Sequence, residues 1–272
     1  MNIAVIAPHC HGNGLTTVAT LIASELSHRN KKVCISHVKS KSDSFMPYFD
    51  LKEAGNQNSK ALVSMIKNSS FSKDSIPNYC RNISDKFDLF SLDIPTSDDL
   101  TEKDVAEVIE FMMTNAPYDY MIYDVDENSL DMPNVKKALE YADCAILVLT
   151  QAKTELNRFK EKKGEFNQIT KEIPVMVVLN KYDVLYGHPK DIAAYIGVTN
   201  HRAIQRWKTI RYNKYIPYCE NKGNMNAFLK NIAKRDADVL GVSTDVTNIV
   251  KELMTIRAGQ RKILSKTRVK GD

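Results

Sequence analysis

The chain has no apolar run approaching the roughly 20 residues that cross a bilayer, which excludes a bundle of membrane-spanning helices. Its five cysteines (Cys10, Cys34, Cys80, Cys144, Cys219) are dispersed, with no C-x-x-C pair. That excludes a zinc ribbon or a thioredoxin-type dithiol and predicts reduced thiols in a cytosolic setting. There is no internal repeat, no low-complexity segment and no Pro/Gly-rich linker, so arrays and tethered modules are excluded as well. The start, Met1 to Pro8, lacks the basic flank and cleavage site of a secretory signal, which predicts a cytoplasmic protein.

What remains is ordinary globular material: 272 residues, 43% hydrophobic and 26% charged, enough chain to bury a large core. The net charge of +5 is uneven. From Lys251 to Asp272 seven basic residues face two acidic ones, so this segment carries the whole excess. A basic tail suits nucleic acid, a membrane surface or an acidic partner; a solvated chain end has the same composition.

Short apolar runs alternate with amphipathic ones. The segments Asn2–Pro8, Lys32–Val38, Phe87–Asp93, Tyr118–Val125, Asp143–Thr150 and Ile173–Asn180 read as strands buried on both faces. Helical patterns fall over Thr16–Ser27, Ser59–Lys67, Glu102–Thr114, Val135–Tyr141 and Glu155–Thr170. A further strand is expected over Lys208–Tyr218 and a helix over Met225–Ala233. The βαβ alternation predicts an α/β fold with a doubly wound, mostly parallel sheet, whose ligand sits beyond the carboxyl ends of the strands. Residues 1–243 form the expected domain and 244–272 a C-terminal helix and basic tail, with Val246, Ile249, Val250 and Leu253 at helical spacing.

The first strand runs into His11, Gly12, Asn13, Gly14, Leu15, Thr16 and Thr17. Glycines there let consecutive backbone N–H groups point at phosphate oxygens, and the helix that follows presents its positive end. The Thr16 hydroxyl occupies the position from which such a loop holds Mg²⁺. No lysine follows Gly14, so the loop supplies N–H groups without a point charge. A strand–glycine–helix corner built only for packing would look similar. His9, Cys10, His11 and His37 have a composition that suits Zn²⁺, although spacing alone does not bring them together.

In order and spacing, these landmarks resemble the ParA/MinD family of deviant P-loop ATPases, whose loop reads K-G-G-x-G-K-T-T. Both family lysines are replaced here, by Cys10 and Leu15. His37 and Lys39 stand where the family carries an aspartate pair after the second strand. By contrast, Tyr118–Val125 is similar to the family's y-D-y-I-I-i-D strand, which puts Asp124 at the carboxylate that approaches Mg²⁺. The acids beyond it, Asp126 and Glu127, replace a proline-rich continuation. Asn180 matches the asparagine that contacts adenine, and Pro217 and Gly223 keep the frame of the segment near base and ribose. Asn180–Asp183 is also an N-K-x-D string, which in GTPases reads guanine.

The version of these motifs is most similar to the CpaE/TadZ-like branch. The resemblance implies ATP or ADP with Mg²⁺, held by Gly12, Asn13, Gly14, Leu15, Thr16, Thr17, Asn180 and Pro217, with Thr16 and Asp124 on the metal. It implies weak or absent hydrolysis, a homodimer, and a role in positioning a pilus, secretion or conjugation apparatus, in the cytoplasm or at the inner membrane face or a cell pole. An active partition-type ATPase is the alternative. For that reading the basic and aromatic run from Arg202 to Lys214, with the tail, would contact DNA or membrane.

Overall fold

A computed structural model describes residues 1–7, 12–39, 48–51, 59–93, 101–125, 130–198 and 206–269. His9, Cys10, His11, Asp43, Asp126, Glu127 and Arg202 lie outside the described residues, as does the side chain of Lys39.

Eight strands form one sheet: β1 Asn2–Ile6, β2 Val33–Lys39, β3 Arg81–Ser84, β4 Phe87–Asp93, β5 Tyr120–Val125, β6 Cys144–Leu149, β7 Val175–Tyr182 and β8 Trp207–Arg211. Their order is β3-β4-β2-β5-β1-β6-β7-β8. Every neighbouring pair is parallel except β3 with β4. The helices are α1 Leu15–His28, α2 Ser59–Lys67, α3 Glu102–Asn115, α4 Pro133–Glu140, α5 Lys153–Ile169, α6 Pro189–Tyr195, α7 Tyr215–Asn221, α8 Met225–Lys234 and α9 Leu240–Val269.

Alternation along the strands builds two cores. Ile3 and Val5 of β1 join one apolar cluster, with α1, α8 and the first half of α9. Ala4 and Ile6 join the other, with α2, α3, α4 and α5. Each face of the sheet is therefore covered, and the strand sequences are apolar nearly without a break. In α9 the spaced residues Val246, Ile249, Val250 and Leu253 are all fully buried. Helix α9 packs along α1 and over β8, so the helix that begins at the glycine loop is clamped between the sheet and the chain's last helix.

Strand β1 lies between β5 and β6. The chain winds outward from β1 in one direction to β2 and β4, and in the other from β6 to β8. This reversal leaves a crevice at the carboxyl end of β1, the switch point at which open α/β sheets bind ligands.

The structure corrects one expected strand. β8 stops at Arg211, and Tyr215–Asn221 is helix α7. The Asn213 side chain accepts from the Tyr215 amide at 2.9 Å and donates to the Asp238 carbonyl at 2.9 Å, turning the chain out of the sheet. Pro217 falls in the first turn of α7, where its missing N–H costs nothing. Two elements had no expectation attached. β3 is a short edge strand with alternating half-exposed residues, and α6 has only seven residues.

Candidate functional site

The end of the loop before α1, Gly12 to Gly14, is held by two strands, β6 and β7. Gly12 and Gly14 adopt left-handed φ values of 76° and 79°. Between them, Asn13 is 1% exposed and donates its amide to the Val148 carbonyl at 3.0 Å, tying the loop to β6. From β7, Asn180 donates to the Asn13 carbonyl at 2.7 Å and Lys181 Nζ to the Gly12 carbonyl at 2.6 Å. These two adjacent residues reach the same loop because the β7–β8 register shifts between Leu179 and Tyr182. Lys181 itself takes φ 54°. A bulge of this kind re-aims side chains at a strand end.

Gly14 is the N-cap of α1, and among the described residues no side chain caps the helix there. The free N–H groups of its first turn open into a cleft of about 490 Å³. Gly12, Asn13, Gly14, Leu15, Thr16, Thr17, Asn180 and Pro217 all line this cleft. The structure thus gathers every residue that the sequence nominated for nucleotide contact.

Asp124, at the end of β5, completes the arrangement from below. The Thr16 hydroxyl donates to Asp124 Oδ2 at 2.8 Å. His37 Nδ1 lies 3.0 Å from the same oxygen and, facing a carboxylate, is its donor. His37 and Asp124 are each 1% exposed. The second oxygen, Asp124 Oδ1, is buried without a hydrogen-bond partner among the described residues. A hydroxyl and a carboxylate with an unspent oxygen fit Mg²⁺, which takes one or two protein oxygens and fills its octahedron with water and phosphate. When bound, Mg²⁺ would neutralise phosphate charge; Thr16 and Asp124 are the residues to hold it. Among the described residues no cluster of three or more His, Cys, Asp or Glu side chains could hold a metal.

Three residues of these motifs also have structural partners. Leu15 is 5% exposed and belongs to the core cluster around α1, so its side chain fills the space under the loop. Asn180 spends its amide on the loop backbone. In the N-K-x-D string, Asp183 caps the turn that follows β7, accepting from the Leu185 amide at 2.9 Å.

The basic run is also largely structural where it is described. Trp207 is 7% exposed and belongs to the core. Lys208 pairs with Glu252 at 3.4 Å. The Arg211 guanidinium holds Asp245 through two hydrogen bonds, at 2.8 and 2.9 Å, and that carboxylate raises its pKa above the ordinary arginine value.

Sequence reasoning missed Glu220 and Tyr48. The Thr17 hydroxyl donates to Glu220 Oε1, and the Tyr48 hydroxyl donates to the same oxygen at 3.3 Å. Both residues line the cleft. Glu220 lies inside the segment framed by Pro217 and Gly223, but nothing in the sequence singled it out there, and Tyr48 sits in no recognisable motif.

No protein-family model matches the chain, and neither does any curated protein. Solved structures do. A ParA family ATPase from Chlorobium tepidum TLS superposes with a TM-score of 0.68 at 18% identity, over 92% of this chain and 98% of that one. The fold is that of the ParA and MinD ATPases. The septum site-determining protein MinD of Pyrococcus horikoshii OT3, solved with Mg-ADP, gives a TM-score of 0.66 at 13% identity, over 93% of this chain and 95% of its own. A putative plasmid partition protein from Borrelia burgdorferi B31, bound to AMPPNP, gives 0.59 at 21% identity, over 86% and 97%. The ParA/MinD fold is therefore shared along nearly the full length of each chain.

Proposed function

We propose that the chain is a ParA/MinD-like spatial organiser with a degenerate nucleotide site. The observation that carries this reading is the uncapped first turn of α1, opening on a cleft with Thr16 and Asp124 hydrogen-bonded at one side. That arrangement suits ADP or ATP with Mg²⁺. Backbone N–H groups and the helix end hold phosphate, and Thr16 and Asp124 hold the cation. The relatives solved with Mg-ADP and AMPPNP support the same ligand class.

In this proposal turnover is weak or absent. Leu15 provides no charge, and Lys181, the cation nearest in sequence to the adenine-side asparagine, is committed to the Gly12 carbonyl. The output is then positional: a homodimer, or a partner-bound adaptor, of a pilus, secretion or conjugation apparatus, as the CpaE/TadZ-like resemblance implies. It works in the cytoplasm or against the inner membrane face. Among the described residues no helix is long and apolar enough to cross a membrane.

Calorimetric titration with ADP, ATP and GTP, with and without Mg²⁺, tests the core of the proposal. The expected result is Mg²⁺-assisted binding of adenine nucleotides, with the Mg²⁺ contribution reduced in Asp124→Ala. Preference for guanine would replace this reading with a GTP switch. Brisk ATP hydrolysis, unaltered by Leu15→Lys, would overturn the degenerate site.

A further inference from the structure

Glu220 stands inside the cradle, against the part of α1 that an anion would seek. It is carried by α7, which lines the cleft with Ile216, Pro217 and Glu220. A single oxygen, Oε1, accepts from the hydroxyls of both Thr17 and Tyr48. Both donors are nearly buried, at 3% and 9% exposed. Burial, with the adjacent Glu220 charge, pushes the Tyr48 phenol well above its ordinary range, so it stays a donor.

Two converging donors fix the carboxylate at the first turn of α1, whose N–H groups no side chain caps among the described residues. The positive helix end attracts one negative group, and a phosphate brought there meets a carboxylate already in place. Among the described residues, neither cation that lines the cleft is bonded to that carboxylate's oxygens: each has another acceptor. Lys181 is bonded to the Gly12 carbonyl, and Arg211 is bonded to Asp245.

We propose that Glu220 is a specificity-determining residue of this cleft, an internal carboxylate that competes with the phosphate of a nucleotide for the start of α1. This rests on the nucleotide reading above. Entry of a nucleotide swings Glu220 off Thr17 and Tyr48, and α7 moves with it. The cleft consequently discriminates against nucleotides whose phosphate charge is not already balanced by a divalent cation.

The test is calorimetric titration of metal-free ADP and of Mg-ADP into the wild-type protein, Glu220→Gln, Glu220→Ala and the remote control Glu165→Gln. Competition predicts a gain of about tenfold for metal-free ADP in both Glu220 variants, the scale of one relieved like-charge contact, and a smaller gain for Mg-ADP. The control should stay within about twofold, since screening removes a distant surface charge. A residue that merely braced Thr17 and Tyr48 would give the opposite sign, because its loss would loosen the cradle. Unchanged or weaker ADP binding in both Glu220 variants therefore overturns the competition and leaves the nucleotide reading standing. If no form of the protein binds ADP, the nucleotide reading falls and the competition falls with it.

Discussion

The Asn180 amide donates to the Asn13 carbonyl at 2.7 Å and passes so close to Gly14 that a Cβ there would collide with it. Strand β7 is thus pressed directly onto the turn that starts α1. Gly14 also holds φ 79°, which an L side chain adopts only at a cost. Gly14→Ala should destabilise the protein by about 1–3 kcal/mol, read as a loss of several degrees in thermal melting. A variant that melts with the wild type would show that β7 does not hold the loop.

Leu15 belongs to the core, so restoring a lysine there carries a stability cost. Leu15→Lys is expected to lose about 2–4 kcal/mol without ligand. Added Mg-ADP should recover part of the loss, because a phosphate draws the ammonium out of the core and ligand binding stabilises the folded state. Differential scanning fluorimetry across an ADP series checks both halves. An undiminished melting temperature in the absence of ligand contradicts the burial of this side chain.

Asp104 closes the capping box of α3 with Thr101 and pairs with Lys67. The Lys67 ammonium, followed by the Thr101 amide, holds its carboxyl at about 2, below the ordinary 3.8. A carboxyl held low in the folded state adds stability above its unfolded value, near pH 4, and loses it as the pH falls toward 2. Asp104→Asn should therefore lower Tm at pH 7 by about 2–4 °C, the scale of a lost cap in a chain this size. The difference should shrink as the pH falls through 2 and vanish below it. Parallel melting curves that never converge on acidification would refute this assignment.

Arg211 and Asp245 bind each other in a two-pronged pair, and Asp245 also accepts from the Arg211 amide at 3.0 Å. Asp245 is only 7% exposed, so removing its partner strands a buried charge. Arg211→Ala should cost about 1–3 kcal/mol, whereas Arg206→Ala, at an exposed position, should cost little. Chemical denaturation resolves the two. If Arg211→Ala instead left stability intact and abolished salt-sensitive DNA retention, the guanidinium would belong to an interface.

Much of the fold was legible in the residues. Phe87–Asp93 and Ser59–Lys67 coincide with their expected bounds, because a continuous apolar strand and a well-separated amphipathic stripe each leave little choice. The strand–glycine–helix corner was legible too, because Gly12, Gly14, Thr16 and Thr17 follow an apolar run directly, and the structure lines one cleft with them. The end of β8 was misread because Tyr212, Tyr215, Ile216 and Tyr218 suit a strand, whereas the turn was decided by the hydrogen bonds of a single side chain, Asn213. Glu220 and Tyr48 were invisible for a different reason. Their roles arise only when α7 and the residues between β2 and α2 meet over α1, with Glu220 203 residues from Thr17 and 172 from Tyr48.

The chain's one tryptophan, Trp207, opens β8, opposite Val177, and lines a second cleft with Phe159 and Phe166. Arg211, which borders the cradle, lies four residues further along the same strand, about 13 Å away at the usual rise. The indole is therefore a built-in spectroscopic probe that no nucleotide in the cradle would touch. If its emission shifts when ADP is added, the signal will have travelled through the sheet, along β8 or by way of β7, and the optical record will report long-range coupling with no label attached.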